Sequence, residues 1–465
     1  MKKIVCMILF PLIILSCGKT DRGYDALENG LLGILRKKDE KYITANLEQA
    51  AKDGNMDVFS LAYVYWGISG EEFFNKYLNK SKGNAEYYKA LIMKEKNDPE
   101  EKVVGMLENA ASQGNYKAYY VLGNIFQDKL EFSKAQEYLK KGKEHGEIYS
   151  LYSYEYNKSL TGVYKRIEEL NKKLKNNVIT PDEKKELGTL VLEKFSNYDT
   201  AYNILREFLS EGYSPALYSK AKKLETENKD EEAVRIYNDL FSENKYYLAS
   251  FELAYKLVNM SKNYNLALRV LEDTSSEDSL ITGYKGFVYE NLKKYDKAEE
   301  NYLKSVQKND IDIMSYLGRL YEEKNKQKEA KDIYNRAYSS GSISAGYRLA
   351  NLLEESDKGK NDKNKKNKQY RTQRSNKAAK KILERLSENG DDYSTVDLSL
   401  YYPETDKNVK VLNLRAAIKL NETAFHNLGV YYYNKKNKKK AKLYFQIAKE
   451  YGYRLEPEYE AFISI

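Results

Sequence analysis

The stretch SYLGRLYEEKNKQKEAKDIYNRA, residues 315–337, contains two apolar patterns separated by a polar run. In each half, small or apolar residues follow the i, i+3, i+4, i+7 spacing of one helix face: Met314, Leu317, Gly318 and Tyr321, then Ala330, Ile333, Tyr334 and Ala337. The stretch therefore predicts an antiparallel helical hairpin. Gly318 and Ala330 are small where the two helices cross, which lets the backbones approach closely.

The same pattern recurs in residues 119–142, in residues 426–448 and around Gly286. Each copy has a Gly, an aromatic residue three positions later, an Ala twelve positions after the Gly, and a large apolar residue four positions after that Ala. One hairpin cannot cover its own apolar faces, so it needs neighbouring copies. The copies therefore predict a repeat array.

The small residue of the first helix recurs about every 32 residues through most of the chain. The equivalent positions are Gly33, Ala62, Leu91, Gly123, Glu155, Gly188, Ala221, Ala254, Gly286, Gly318, Ala350, Ser399 and Gly429; the Leu91 and Glu155 copies are degenerate and the Gly33 copy is the least regular. The sequence thus predicts an all-α fold, an α-solenoid of about 11 to 13 antiparallel hairpins. The final EPEYEAFISI is long enough for a short closing helix.

The L-G-x-x-Y and A-x-x-x-F elements of these copies resemble the tetratricopeptide repeat. An A-x-x-x-G-x-x-x-A-x-x-x-L link, with its Gly at Gly114 and Gly341, resembles the Sel1-like relatives of that hairpin. The resemblance implies a groove lined by first helices that binds a protein or peptide. Residues just after the small residue and just after the aromatic residue are then the candidate binding residues: Asn124, Gln127, Arg319, Glu322, Val430 and Tyr433.

The chain starts MKKIVCMILFPLIILSCGKT, with two lysines, an apolar run from Ile4 to Leu15, and then Ser16 and Cys17. A basic start, a short apolar run and a small residue before the cut are typical of an export signal. Ile14 to Cys17 resembles the lipobox of bacterial lipoproteins, which implies that Cys17 is lipidated and becomes the new N-terminus. The alternative is an ordinary cleaved signal in which Cys17 is incidental.

We therefore expect a signal peptide over residues 1–16, a lipidated tether over 17–25 and the solenoid over 26–465. The lipidated protein would lie outside the cytoplasm, in the outer membrane if the organism has two membranes. Its expected function is a membrane-anchored, non-catalytic scaffold that binds a protein or peptide partner in the cell envelope. Cys6 is lost with the signal, so Cys17 is the only mature cysteine, and thiol catalysis and cysteine-based metal sites are excluded.

No catalytic, metal-binding or cofactor-binding pattern is evident. The two histidines, His145 and His426, are far apart in the repeat order and have no HExxH or cysteine partner. Of the 45 tyrosines, many occupy repeat-core positions, whereas others, such as Tyr246, Tyr431 and Tyr433, fall outside the signature. Spare surface tyrosines could stack on sugar rings, so peptidoglycan or another glycan is the alternative ligand.

Residues 357–377, DKGKNDKNKKNKQYRTQRSNK, form a basic insert within one repeat. The insert carries nine Lys or Arg and two Asp, and together with Lys2 and Lys3 it accounts for the formal charge of +9. The rest of the array has no net basic bias, which argues against nucleic-acid binding. We expect a disordered loop between two helices of one hairpin, with contact to an anionic surface as its possible function.

Overall fold

A computed structural model describes residues 20–361 and 374–464 of the protein, with the side chains of 23–356 and 374–464. These residues are helical almost throughout, and the described part of the chain contains no strand. They form two compact units, each built from more than one segment of the chain. Within the described ranges, no helix is both long and apolar enough to cross a membrane.

Of the described residues, unit 1 contains 20–118, 374 and 390–464. Its helices, with two short 3₁₀ turns at Gly67–Gly70 and Ser399–Tyr401, are α1 Thr20–Leu35, α2 Glu40–Lys52, α3 Asp57–Trp66, α4 Glu71–Lys76, α5 Asn84–Glu95, α6 Glu100–Ser112, α23 Asp392–Leu398, α24 Lys407–Ala417, α25 Glu422–Asn434, α26 Lys438–Glu450 and α27 Pro457–Ser464.

Of the described residues, unit 2 contains 119–361 and 375–389. Its helices, with a 3₁₀ turn at Arg206–Glu211, are α7 Lys117–Asp128, which starts at the unit boundary, α8 Phe132–Glu144, α9 Ile148–Ser159, α10 Thr161–Lys175, α11 Pro181–Phe195, α12 Tyr198–Leu205, α13 Ser214–Thr226, α14 Asp230–Asn244, α15 Tyr247–Ser261, α16 Tyr264–Glu272, α17 Ser279–Asn291, α18 Tyr295–Gln307, α19 Ile311–Glu323, α20 Gln327–Ser339, α21 Ile343–Asn361 and α22 Lys377–Glu388.

The predicted hairpins are confirmed: the described helices follow one another as thirteen consecutive pairs, α1–α2 through α25–α26. The opening stretch forms α19 and α20, joined by a turn in which Asn325 has φ 56°. Asp310 caps α19 by accepting a hydrogen bond from the backbone N–H of Ile313 at 3.1 Å. The predicted closing helix is α27.

The repeated small residue of the first helix lies directly beneath the large residue of the second helix. A Cβ built on Gly318 would stand 2.7 Å from Cδ1 and Cζ of the Tyr334 ring. Gly123 faces Leu139 and Gly429 faces Phe445 in the same way, each with a nearest approach of 2.5 Å. Real Cβ contacts are longer than this, so the absence of a side chain is what allows the two helices to cross here.

In unit 2, α9 packs against the hairpins formed by α19 to α22. The Tyr152 hydroxyl donates to Asp312 Oδ2 at 3.0 Å, and the Ile148 backbone N–H donates to Asn389 Oδ1 at 2.9 Å. Gly341, which ends α20 with φ 95°, touches the Tyr152 backbone so closely that a Cβ would come within 2.6 Å of its nitrogen. The Gly of the Sel1-like link therefore serves both the turn and a contact with a distant repeat.

In unit 1, the first helix is buried against the last repeats through one carboxylate. Glu28 on α1 is fully buried and accepts hydrogen bonds from the hydroxyls of Tyr432 at 2.7 Å and Tyr444 at 2.8 Å. Lys440 and Lys410 contribute ammonium groups at 2.9 and 3.1 Å from the same carboxylate. Arg36, at the end of α1, pairs with Glu450 at 2.9 Å.

Two predicted segments differ from the structure or lie outside it. The tether expected over residues 17–25 is helical from Thr20 onward, because α1 begins there. Cys17 and the signal peptide lie outside the described residues. Most of the expected loop over 357–377 also lies outside them, while α21 continues to Asn361 and α22 begins at Lys377.

Candidate binding surfaces

Five aromatic side chains form a continuous ladder on one face of α15, α17 and α19 in unit 2. Neighbouring ring centroids are 5.1 Å apart for Phe251 and Tyr284, 5.5 Å for Tyr284 and Phe287, and 6.3 Å for Phe287 and Tyr316. Tyr255 stacks on Phe251 at 5.9 Å. Tyr255 is 49% exposed and Tyr316 is 40% exposed, so the ladder presents ring surface to solvent.

The ladder arises from the repeat register. Tyr255 and Phe287 directly follow the small residues Ala254 and Gly286, while Tyr284 and Tyr316 stand two residues before Gly286 and Gly318. These positions lie next to the buried seam of each first helix and outside it. Successive repeats therefore place their rings side by side.

Arg319 closes one end of the ladder. Its guanidinium lies 5.3 Å from the centre of the Tyr316 ring and pairs with the buried Glu290 of the preceding repeat at 2.8 Å. The Tyr302 hydroxyl donates to the same Glu290 at 2.6 Å. Burial, and then the neighbouring carboxylate, raise the pKa of Tyr302, which keeps this hydroxyl a donor at any physiological pH.

Glu322, another candidate, is held in a similar bridge. It accepts a hydrogen bond from the Tyr334 hydroxyl, and Arg348 of the following repeat lies 3.8 Å away. Arg319 and Glu322 are thus half-buried residues that join consecutive repeats. Of the two, Arg319 contacts the ladder, through the Tyr316 ring.

Asn124 and Gln127 are half-buried on α7. Gln127 lines a small cavity of about 180 Å³, together with Tyr152 and Tyr156 of α9 and Lys194 of α11. The Tyr156 hydroxyl donates to the Lys194 carbonyl at 3.2 Å. The structure does not bring Asn124 or Gln127 to the ladder.

In unit 1, the prediction that Val430 lies on the binding surface is wrong. Its side chain is only 7% exposed and belongs to the core cluster that α1 shares with α25 and α26. Tyr433 is 39% exposed, but its ring packs edge-on against Tyr459 at 5.6 Å and Phe462 at 5.1 Å. It therefore helps to hold the closing helix α27.

The other tyrosines considered for sugar stacking are also engaged internally. Tyr431 is 9% exposed, and the Tyr246 hydroxyl donates to Glu193 at 3.1 Å. Burial raises the pKa of both phenols. Stacking surface comes instead from the ladder, which sequence reasoning missed. Comparing the residue after the small residue in consecutive repeats, Tyr255, Phe287 and Arg319, would have indicated it.

A second surface of unit 2 is an open groove of about 680 Å³ between α9 and the α19–α20 hairpin. It is lined by Glu155, Lys158 and Ser159 of α9 and by Asn309, Ile311, Met314, Asn335, Arg336, Ser339 and Ser340. The groove exists because α9 contacts a hairpin five repeats later in the chain.

Both histidines pack against aromatic rings. His426 stacks on Tyr453 at 4.3 Å, and its Nε2 lies 3.0 Å from Glu456. His145 stacks on Tyr119 at 6.0 Å. Over the described ranges, no group of three or more His, Cys, Asp or Glu residues is arranged to hold a metal ion.

Helical hairpins that recur along the described part of the chain define an α-helical repeat protein. Residues 285–307 match the tetratricopeptide repeat family, and these residues include most of the α17–α18 hairpin. The matched segment and the pairing of the helices support a protein that contains tetratricopeptide-like repeats. No curated protein matches the chain.

Three solved structures illustrate the similarity. A Sel1 repeat protein from Oxalobacter formigenes is 16% identical, with a TM-score of 0.39, over 50% of this chain and 99% of its own. A tetratricopeptide repeat protein from Parabacteroides merdae is 14% identical, with a TM-score of 0.34, over 54% of this chain and 97% of its own. The Cut9–Hcn1 hetero-tetramer of APC/C is 12% identical, with a TM-score of 0.40, over 95% of this chain and 96% of the matched chain.

Proposed function

We propose that this protein is a membrane-anchored, non-catalytic scaffold of the bacterial cell envelope that binds a protein partner through the aromatic ladder. The proposal rests on the ladder itself, which consists of five aromatic rings on the first helices of three consecutive hairpins. Two of these rings, those of Tyr255 and Tyr316, are at least 40% exposed. A repeat array of this kind supplies surface rather than a reaction centre.

The composition of the ladder favours a polypeptide partner. Tyr and Arg dominate the residues that contribute most to protein–protein affinity, because each offers a large contact area together with a polar group. Tyr255, Tyr316 and Arg319 provide these groups on a rigid helical support. The bond between Arg319 and Glu290 fixes the guanidinium before a partner arrives, which lowers the entropy cost of binding.

The anchor is assigned to Cys17 on the basis of the lipobox. Cys17 precedes Thr20, where α1 begins, by three residues. An acyl-modified Cys17 would thus hold the start of α1 within about 10 Å of the lipid surface. Anchoring raises the local concentration of the binding surface at the membrane. Replacement of Cys17 by Ala should release the protein from the membrane fraction, and continued membrane association would contradict the anchor.

A crosslinking experiment in intact cells tests the partner. A photoreactive amino acid at position 255 or 316 should capture one dominant protein, identified by mass spectrometry. The double variant Tyr255→Ala, Tyr316→Ala, carrying a probe at position 284, should lose that capture. The matched control Val178→Ala, Met260→Ala removes two other exposed apolar side chains, 66% and 84% exposed, and should retain it. Equal capture by both double variants would refute the assignment.

Glycan binding is the second candidate, because exposed tyrosine rings also stack on sugars. The same pair of variants distinguishes the two in a sedimentation assay with purified cell wall. Wild-type binding that is lost only in the Tyr255→Ala, Tyr316→Ala variant would favour the glycan. Absence of wild-type binding would exclude it.

A further inference from the structure

We infer that the groove between α9 and the α19–α20 hairpin binds an acidic peptide segment. This groove is separate from the ladder, because it is lined by Ile311 and Met314 of α19, whereas the ladder uses Tyr316 on another face of that helix. The inference rests on the proposed function, since it specifies part of the partner that a protein-binding scaffold would hold.

The groove carries positive charge on both of its sides. Lys158 on α9 and Arg336 on α20 both line the groove, are exposed, and make no ion pair within the described chain. The only carboxylate in the lining, Glu155, is paired with Lys143 at 2.5 Å. The lining therefore presents two positively charged side chains, one from α9 and one from α20. No carboxylate of the described chain forms an ion pair with either of them.

The carboxylates at the start of α19 do not neutralise this pair. Asp312 accepts the Tyr152 hydroxyl at 3.0 Å, and Asp310 accepts the Ile313 backbone N–H at 3.1 Å as the helix cap. Neither aspartate forms an ion pair with Lys158 or Arg336. Both aspartates are thus engaged in holding α9 and α19 in place.

The groove also presents amide and hydroxyl groups that are available for hydrogen bonds. Four further lining residues have side chains that make no hydrogen bond to the rest of the described chain: Asn309, Asn335, Ser339 and Ser340. Amide and hydroxyl groups can both donate and accept, which suits the alternating N–H and C=O groups of an extended peptide. Two cations then bind the acidic side chains of the same segment.

The lack of aromatic side chains in the lining favours a peptide over an acidic polysaccharide. The apolar part of the lining is aliphatic, Ile311 and Met314, and none of the lining residues is aromatic. Sugar rings bind preferentially to aromatic faces, whereas an aliphatic floor accommodates a leucine or valine side chain. The groove therefore fits an acidic peptide segment better than a polysaccharide.

The test measures fluorescence anisotropy of a labelled peptide of alternating glutamate and leucine, with the full-length protein in detergent. The groove variant is Lys158→Glu, Arg336→Glu. The matched control is Lys165→Glu, Lys331→Glu, which reverses two exposed, unpaired lysines of α10 and α20 outside the groove and changes the net charge equally. All four positions are exposed, and circular dichroism of each variant should match that of the wild type before binding is compared.

We expect saturable binding by the wild type, weakening by about tenfold or more in the groove variant, and a change of no more than about twofold in the control. A peptide of alternating glutamine and leucine should bind much more weakly. Equal weakening in both variants, or no saturable binding, would overturn the inference. Competition by polygalacturonate that is as strong as the unlabelled peptide would assign the groove to a glycan instead.

The outcomes also separate this inference from the proposed function. If the peptide does not bind while crosslinking through the ladder still captures a protein, only the inference fails. If the ladder captures no protein, the proposed function fails, whatever the peptide does.

Discussion

Replacement of Gly318 by Ala tests whether the missing side chain at the helix crossing determines the hairpin. In an exposed helix, this change is stabilising by about 1 kcal/mol, because Ala is a better helix former than Gly. At Gly318, the new methyl group would overlap the ring of Tyr334, which is fully buried and cannot move outward.

The expected magnitude follows from these opposing effects. Overpacking in a close-packed core costs about 1–3 kcal/mol. A displaced Tyr334 ring would also weaken its hydrogen bond to Glu322, worth about 1 kcal/mol. After subtracting the helix-propensity gain, Gly318→Ala should destabilise the protein by about 1–3 kcal/mol.

Equilibrium unfolding in urea, followed by circular dichroism, measures this change. Gly105→Ala in α6 is the control, because a Cβ there meets no atom within 4 Å, and it should raise the free energy of unfolding by up to about 1 kcal/mol. Gly162 in α10 is equally unobstructed and provides a control within unit 2. The reasoning would be refuted if Gly318→Ala were as stable as the wild type.

Two further changes have defined outcomes. Glu28→Gln should destabilise unit 1 by about 3 kcal/mol at neutral pH in urea unfolding, because it leaves the ammonium groups of Lys410 and Lys440 without their buried counter-charge. Burial alone would raise the pKa of Glu28, but the two lysines and the hydroxyl groups outweigh it and hold that pKa below its usual range. The stabilisation that the ionised Glu28 provides is therefore present above the ordinary carboxyl pKa and is lost as the pH falls through the lowered pKa. The Glu28→Gln variant should thus lose less stability in acid than the wild type. An identical dependence of stability on pH in both proteins would contradict this. Deletion of residues 362–373 should leave the helical circular dichroism and the melting temperature nearly unchanged if these residues form a loop within one hairpin, whereas a cooperative loss of helix would show that the array depends on them.

Local packing was predictable from the sequence because it repeats. Gly286, Gly318 and Gly429 recur with a large residue sixteen positions later, and this pairing is what the structure shows at each crossing. Each copy supports the others, so the helix pairs and their number could be read from one chain.

The binding residues were less predictable, because the position of a residue within its own repeat does not indicate which contacts it makes with the neighbouring repeats. Arg319 and Glu322 occupy the expected positions but bridge to adjacent repeats. Val430 is buried because α1 and α26 share its core, and α1 lies some 400 residues earlier in the chain. The contact of α9 with Gly341 likewise joins repeats whose sequences give no sign of their proximity.

The burial of Glu28 also has a consequence for the order of folding. The described residues of unit 1 lie mainly in two segments, 20–118 and 390–464, whereas most of unit 2 is one continuous segment between them in the sequence. Synthesis proceeds along the chain, so most of unit 2 can fold before the helices that complete unit 1 have been made. The partners of Glu28, from Lys410 to Tyr444, emerge last. Helix α1 therefore remains without the partners of its buried carboxylate until residues 410–444 have been synthesised.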